Sequence, residues 1–193
     1  MSSDPIHKLS LVLKTPYQVQ KYIRAFPYNK GNTLYSAEIT AIKKTAHCFE
    51  ASLFAAAVLE RHGYPPLVMS LESRDDLDHV VYIFRERGKW GAIGQSREEG
   101  LRGRKPVFSS LEALALSYYE PYVDDTGEVW AYQIAHLDDT ETDWRFSRRN
   151  VWKAEKYLID LPHVTIRQSE RRYKRLKELY LQRGPMPRLP FWW

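Results

Sequence analysis

Residues 45–64, TAHCFEASLFAAAVLERHGY, decide the fold, because they hold the clearest helix signal and the single cysteine of the chain. The near-continuous apolar run ASLFAAAVL predicts a helix over 48–62 that is buried on most sides. Gly63 follows as a C-cap glycine. Cys48 therefore stands at the start of a buried helix, directly after a histidine.

A cysteine at this position has two interpretations. The start of a helix carries partial positive charge and unpaired N–H groups, which lower the pKa of a thiol and can hold an oxyanion. A lone cysteine in an alanine-rich helix is also often just a small buried hydrophobic residue. For Cys48 to act as a nucleophile, the fold must bring a base to it, usually a histidine.

Six histidines are candidates for that base, and His79 is the best placed. It opens a β-rich segment that can pack on the cysteine helix. The side chain of His47 is expected to diverge from that of its neighbour, and His62 lies at the far end of the helix, about 20 Å away. The full set is His7, His47, His62, His79, His136 and His163.

The rest of the chain mixes helix and strand patterns, which indicates an α+β fold with added N- and C-terminal helices. Gly88 marks a tight hairpin between two of the strands. The N-cap residues expected are Thr15, Ser36, Ser110 and Asn150. Further helices are predicted over 15–26, 37–44, 110–119, 150–161 and 166–182, and strands over 67–72, 79–86, 89–94 and 127–137.

The basic character of the chain belongs to its C-terminal part. The net charge is +5, yet residues 167–188 alone hold eight basic residues and two acids. The helix over 166–182 either leaves these charges solvated or contacts an acidic partner or a nucleic acid. The tail 183–193, RGPMPRLPFWW, either presents an apolar patch to a partner or docks on its own domain. We expect one domain over 1–163 and a separate segment over 164–193.

Composition argues against several other classes. One cysteine cannot form an internal disulfide, and the N-terminal apolar run is too short for a signal peptide or a membrane span. We therefore expect a soluble, cytoplasmic protein without cofactor or metal. The acids Asp75, Asp76 and Asp78 beside His79 lack a recognised ligand spacing, so a solvated loop is expected there.

The order of these blocks resembles the transglutaminase-like branch of the papain-like cysteine fold. The matching stretches are HCFEASLFAAAVLERHGYPPLVMSLE, DHVVYIFRERGKW and GAIGQSR, which cover about residues 45–97. With RKPVFSSLEALALSYYEPY the chain is also similar to a group of uncharacterised bacterial proteins, and the core extends to about residue 122. The resemblance implies a cysteine helix packed on a small antiparallel sheet.

The resemblance further implies acyl transfer or hydrolysis of a protein or peptide amide, with Cys48 as nucleophile and His79 as base. The family's third residue is usually an aspartate, and its place here falls at Gly94. Gln95 or Ser96 is expected to orient His79 instead, since Asp78 should point to the opposite face of the strand. A catalytically degenerate binding or scaffold protein is the competing interpretation.

Overall fold

The chain folds around one antiparallel sheet in this computed structural model, which describes residues 4–74, 78–124 and 127–193. The strands in these ranges are β1 Leu67–Ser73, β2 His79–Glu86, β3 Lys89–Ile93, β4 Arg104–Phe108, β5 Val129–His136 and β6 Val164–Thr165. Their order across the sheet is β4-β3-β2-β1-β5-β6, and each neighbouring pair is antiparallel.

Seven α-helices occur in the same ranges, and three short 3-10 turns connect elements. The helices are α1 Pro5–Ser10, α2 Pro16–Arg24, α3 Ala37–Lys43, α4 Cys48–Leu59, α5 Leu111–Tyr122, α6 Trp152–Asp160 and α7 Glu170–Arg183. The 3-10 turns are Glu60–His62, Glu99–Leu101 and Leu137–Thr140. The mixed α+β class predicted from the sequence is confirmed, whereas a specifically transglutaminase-like core stays a prediction.

Helices cover both faces of the sheet, so the central strand β2 is buried on both sides. Its side chains alternate between two apolar cores, as the pleat of a strand requires. Val80, Tyr82 and Phe84 join the core formed with α1 to α4 and α6. Val81 and Ile83 join the core formed with α5 and α7. This double burial explains the continuous apolar run of β2 and fixes the strand that begins with His79.

Several local predictions are confirmed by hydrogen bonds. The side chains of Thr15, Ser36 and Ser110 each accept an amide hydrogen from the first turn of the following helix. Gly88 adopts a φ of 76° in the turn between β2 and β3, where the left-handed region favours glycine. The polar caps and the hairpin could thus be predicted from residue type and position.

Two helix boundaries differ from the prediction. Asn150 does not cap α6, because its Oδ1 accepts the Leu34 amide hydrogen at 3.2 Å and the helix begins at Trp152. The basic helix begins after Ser169 instead of at Ile166, whose amide donates to the Trp130 carbonyl at 2.8 Å and extends the β5–β6 pairing.

Three short elements were not predicted: α1, β4 and β6. The β4 sequence RKPVF contains a proline and two cations, which argue against a strand unless it lies near the edge of a sheet.

The C-terminal tail docks on the domain, which was one of the two alternatives left open. Trp192 is buried and bridges to Arg104 at the start of β4. The Trp193 indole donates to the Ala92 carbonyl at 2.9 Å, and the Lys105 amide donates to the Phe191 carbonyl at 2.9 Å. The boundary expected at residue 163 stays a prediction. Within the described ranges, no helix combines the length and apolar content needed to cross a membrane.

Candidate active site

Cys48 is the first residue of α4 and is half-buried. His47 caps the helix, since its Nδ1 accepts the Phe49 amide hydrogen at 3.2 Å. The Glu50 carboxylate accepts the His47 amide hydrogen at 3.1 Å and completes a capping box. The Cys48 sulfur therefore stands at the positive end of a helix whose start is firmly held.

Glu50 is fully buried beneath the cysteine and organises the preceding loop. Both carboxylate oxygens accept hydrogen bonds, and these fix the segment between α2 and α3 against the helix start. The donors are Asn29 Nδ2 at 2.9 and 3.2 Å, Thr33 Oγ1 at 2.8 Å, the Tyr35 amide at 2.9 Å and the His47 amide at 3.1 Å.

His79 is the first residue of β2 and is buried. Its Nε2 donates to the Leu101 carbonyl at 2.6 Å, because a carbonyl oxygen can only accept. This bond places a hydrogen on Nε2, so Nδ1 is the ring nitrogen left to accept or release a proton.

Ser52 ties the cysteine helix to the histidine strand. Its buried hydroxyl lies 2.9 Å from the Cys48 carbonyl oxygen, one turn earlier on α4, and 3.1 Å from the Val80 carbonyl oxygen of β2. The side chain thus connects residues at or next to Cys48 and His79. The spacing of α4 and β2 at this end depends on a serine that the sequence analysis treated as part of an apolar run.

The thiol of Cys48 is strongly acidified. Burial favours the neutral thiol and would raise its pKa, but hydrogen bonds to His47 and His79 and the positive charge of both imidazoles outweigh it and lower the pKa to about 5. At neutral pH the sulfur is therefore a thiolate, the reactive form of cysteine.

His47 is the second imidazole at the thiol, although its side chain was expected to diverge from it. Burial favours the neutral ring, but the hydrogen bond to Cys48 and the charges of Cys48 and Glu50 raise the pKa of His47 to about 9. Both ring nitrogens also have backbone partners: Nδ1 accepts from Phe49, and Nε2 donates to the Thr33 carbonyl at 2.7 Å. A proton on Nδ1 would displace the helix cap, so geometry opposes the charge that electrostatics favours.

Gly94 stands where the resemblance places an acidic residue. A Cβ on residue 94 would lie 3.7 Å from both His79 Nε2 and the Leu101 oxygen, and 2.9 Å from a methyl group of Val81. The Val81 contact is the one that a side chain at residue 94 could not accept without a shift, whereas its distances to His79 and Leu101 would be ordinary van der Waals contacts. The orienting partner found for His79 is a backbone carbonyl in place of a carboxylate.

Gln95 and Ser96, the side chains expected to orient His79, are both buried but differ in position. The Gln95 amide nitrogen donates to the Phe26 carbonyl at 2.8 Å and the Ile23 carbonyl at 3.2 Å, at the end of α2. Ser96 lines the same cleft as Cys48 and accepts the Glu98 amide hydrogen at 3.1 Å. An orienting role stays a prediction for both, and Ser96 is the one in the cleft.

Asp78 also lies in this cleft, although it was expected on the opposite face. Strand alternation does not reach it, because β2 begins one residue later at His79. Its Oδ1 accepts the Ser73 amide hydrogen at 2.9 Å. The other acids of the loop that was expected to be solvated, Asp75 and Asp76, lie outside the described residues.

The cleft that Cys48 and His79 line has a volume of about 350 Å³. Tyr28 was missed by the sequence analysis and is placed next to the cysteine by a β-bridge to Ala46. Burial, and then the negative charge of Cys48, raise the Tyr28 pKa to about 12, so its hydroxyl stays protonated. The lining residues are Tyr28, Cys48, Asp78, His79, Ser96, Arg97, Glu98, Leu101, Pro121, Tyr122, Asp124, Tyr180 and Pro185.

Fold and cleft together define an α+β protein with an acidified cysteine and a buried histidine at one cavity. No protein-family model matches the chain. The sequence is similar to Tubulinyl-Tyr carboxypeptidase 1 of Mus musculus, with 28% identity over 133 residues. The match covers 58% of this chain and 34% of the relative, so the chain spans about a third of that protein's length. The relative is named as a peptidase, which agrees with the peptidase half of the predicted chemistry.

Proposed function

We propose that the protein is a papain-like cysteine peptidase in which Cys48 is the nucleophile and His79 the base. The observation that carries the proposal is that the half-buried Cys48 at the start of α4 lines the same cleft as the buried His79, where two histidines lower the pKa of the Cys48 thiol to about 5. A thiolate held as an ion pair with imidazolium is the reactive state that cysteine peptidases use. Similarity to a carboxypeptidase favours hydrolysis over transfer to an amine.

The reaction begins when the Cys48 thiolate attacks the carbonyl carbon of a peptide bond. The carbonyl electrons move to oxygen, and the Cys48 backbone N–H and the protonated Tyr28 hydroxyl stabilise the resulting oxyanion. Collapse of this intermediate breaks the C–N bond and leaves a thioester. The leaving amine takes its proton from the His79 imidazolium.

Hydrolysis of the thioester reverses the roles. Neutral His79 takes a proton from water through Nδ1, and the hydroxide attacks the thioester carbon. Departure of the thiolate releases the acid product and restores the ion pair with His79. Throughout, the Leu101 carbonyl holds Nε2 and keeps the ring from turning. His47 transfers no proton in these steps, because its Nδ1 accepts the Phe49 amide hydrogen and caps α4.

The name of the relative supplies a substrate hypothesis, namely removal of the last residue of a peptide. Arg97 lines the cleft and lies 5.6 Å from the centre of the Tyr28 ring. Its guanidinium suits a terminal carboxylate bound beside the oxyanion donors. Peptides with a free C-terminal tyrosine, compared with the same peptides amidated, test this part of the proposal.

The test of the chemistry uses iodoacetamide, because the chain has one cysteine and each alkylation is assigned to it. The rate should stay high at pH 6 and decrease as the pH falls through about 5, since a lowered pKa preserves the thiolate down to that pH. His79→Ala should move this inflection toward that of an ordinary thiol, whereas His7→Ala, on the exposed face of α1, should not. Cys48→Ala should abolish peptide hydrolysis.

A catalytically degenerate binding protein is the competing function, and one observation favours it. His79 is oriented by a carbonyl in place of a carboxylate, which stabilises an imidazolium less strongly. Under this alternative, Cys48→Ala leaves peptide binding intact and no peptide is cleaved by the wild-type protein. A thiol inflection near 8.5 in the wild-type protein would remove the basis for catalysis.

A further inference from the structure

A buried guanidinium lies directly behind the turn that orients His79. Arg104, at the start of β4, has no exposed surface, and its donors face backbone carbonyls and one serine. Its contacts are the Gly100 oxygen at 2.6 Å, the Arg102 oxygen at 2.8 Å, the Gly103 oxygen at 3.3 Å, the Ser117 hydroxyl at 3.1 Å and the Ser117 carbonyl oxygen at 3.2 Å.

These contacts bracket the carbonyl that holds the histidine. Arg104 binds the carbonyls of Gly100 and Arg102, which are the residues on either side of Leu101. Fixing both neighbouring peptide planes also fixes the plane between them. The Leu101 oxygen is thereby aimed at His79 Nε2, 2.6 Å away.

Aromatic rings seal this arrangement from solvent. The Tyr118 ring centre lies 3.8 Å from the Arg104 guanidinium carbon and 6.1 Å from the His79 ring centre. The Tyr118 hydroxyl donates to the Arg102 carbonyl at 3.1 Å. Trp192 covers the guanidinium from the other side, with its ring centre 5.2 Å away. The docked tail thus closes the structure behind the site.

A buried cation without a carboxylate partner is costly to maintain. Within 4–74, 78–124 and 127–193, no carboxylate lies within ion-pair distance of Arg104. Burial lowers its pKa to about 10, which still leaves it charged at neutral pH. An apolar side chain at residue 104 would stabilise the fold as well. We therefore expect the guanidinium to have a role beyond stability.

We propose that Arg104 is a positioning residue, which holds the 99–103 turn so that the Leu101 carbonyl orients His79 toward Cys48. This role rests on the proposed function, because it matters only if His79 pairs with the thiol. Planar geometry is essential to it, since one guanidinium donates to carbonyls on both sides of Leu101. A lysine keeps the charge but offers a single nitrogen, which cannot bracket the turn.

The test compares Arg104→Lys with the wild-type protein by the pH dependence of iodoacetamide alkylation. In the variant the inflection should rise, and the rate at pH 6 should fall about threefold or more as the thiolate fraction drops. The His79 Nε2 proton, followed by NMR, should also exchange faster with water, which a loss of distant packing would not cause. Lys105→Arg, on the neighbouring exposed residue, is the matched control.

The outcomes separate this proposal from the proposed function. A wild-type inflection near 5 with an unchanged inflection in folded Arg104→Lys would overturn the positioning role and leave the dyad standing. A wild-type inflection near 8.5 would remove the dyad, and the role of Arg104 with it. If Arg104→Lys does not fold, Ser117→Ala decides, because it deletes only the hydroxyl that accepts from Nε. In Ser117→Ala the pH at which the alkylation rate inflects should rise by less than in Arg104→Lys. An unchanged inflection pH would overturn the proposal.

Discussion

The two sides of the candidate site each rest on one fully buried charged residue, yet they are built in opposite ways. Glu50 supports the Cys48 side and accepts hydrogen bonds from the Asn29 and Thr33 side chains and from two backbone amides. Arg104 supports the His79 side and donates mostly to backbone carbonyls of a turn. The Glu50 carboxylate accepts hydrogen bonds that order the loop before Cys48. The Arg104 guanidinium donates to the carbonyls on either side of Leu101, and the Leu101 carbonyl in turn accepts from His79.

The difference has a physical origin in what each side must present. The nucleophile needs a positive helix end where the Cys48 N–H can meet an oxyanion, so the preceding loop is held by hydrogen bonds to the buried Glu50 carboxylate. The base needs a single acceptor at a fixed angle. A carbonyl can supply that acceptor only if its peptide plane cannot rotate, which requires restraint on both neighbouring peptides.

Removing the anion should have the largest effect on stability. Glu50→Ala leaves four half-buried donor groups without their acceptor and should lower the free energy of unfolding by about 3 kcal/mol or more. Urea denaturation followed by tryptophan fluorescence measures the loss. Glu178→Ala, an exposed glutamate on α7, should change it by less than about 0.5 kcal/mol. A Glu50→Ala loss below about 1 kcal/mol would contradict the view that Glu50 organises the cysteine side.

The cysteine side was largely predictable from the sequence, because its interactions are local. A cysteine at a helix start is visible in the sequence, and the pattern His-x-x-Glu at residues 47–50 is a capping-box spacing, although neither residue was assigned that role. The paired strands and most caps also follow from residue type. Tyr28 was missed because its β-bridge to Ala46 joins segments with no shared pattern.

The histidine side could not be predicted in full, because its third member carries no side-chain signal. Every residue has a carbonyl, so nothing in the sequence distinguishes Leu101 as the group that accepts from His79. Gly94 stands where an acidic residue was expected, and only the structure shows that a side chain there would crowd Val81. Charged residues such as Arg104 normally lie at the protein surface. The burial of Arg104 depends on contacts between β4, α5 and the tail.

Filling the space at Gly94 should disturb the histidine side next most strongly. A methyl group there would lie 2.9 Å from Val81, a stiff β-branched residue, so Gly94→Ala should cost about 1–3 kcal/mol through overpacking. Because residue 94 must shift to relieve the contact with Val81, the neighbouring Leu101 carbonyl should move from His79, and alkylation of Cys48 at pH 6 should slow. Gly31→Ala adds the same methyl group on the cysteine side for comparison, where its nearest contact would be Asn29 Oδ1 at 3.2 Å.

Equal losses in these two glycine variants would mean that the space at residue 94 has no special use. A loss of stability in Gly94→Ala with unchanged alkylation would show that the Leu101 carbonyl tolerates displacement. Either result would weaken the contrast between the Leu101 carbonyl, held in place for His79, and the loop held in place before Cys48.

Ser52 joins the two sides, and its removal should have a smaller effect on stability. Ser52→Ala deletes a buried hydroxyl between the Cys48 and Val80 carbonyls and should lower the free energy of unfolding by about 1 kcal/mol. Alkylation at pH 6 should slow, because α4 and β2 lose their direct link. Ser109→Ala, at an exposed bend before α5, is the control and should change neither quantity. Unchanged alkylation in Ser52→Ala would show that the two sides are positioned independently.

The smallest effect is expected in the basic segment, whose charges differ from both buried ones because they face solvent. Arg171 and Arg175 are exposed on α7, and we propose that this surface binds an acidic partner or a nucleic acid. Replacing both by glutamine should lower the slope of polyanion affinity against salt by about 2 and leave Cys48 alkylation unchanged. The measurement is elution from immobilised heparin over a salt gradient.

Lys8→Gln combined with Lys21→Gln removes the same charge from exposed positions on α1 and α2 and serves as the control. If both double variants elute equally early, retention follows net charge, and α7 has no binding surface of its own. Earlier elution of the α7 variant alone would show that the exposed α7 charges form a binding surface. Glu50 and Arg104 act through fixed geometry and should be insensitive to salt, whereas a solvated helix face acts at long range and weakens as salt screens it.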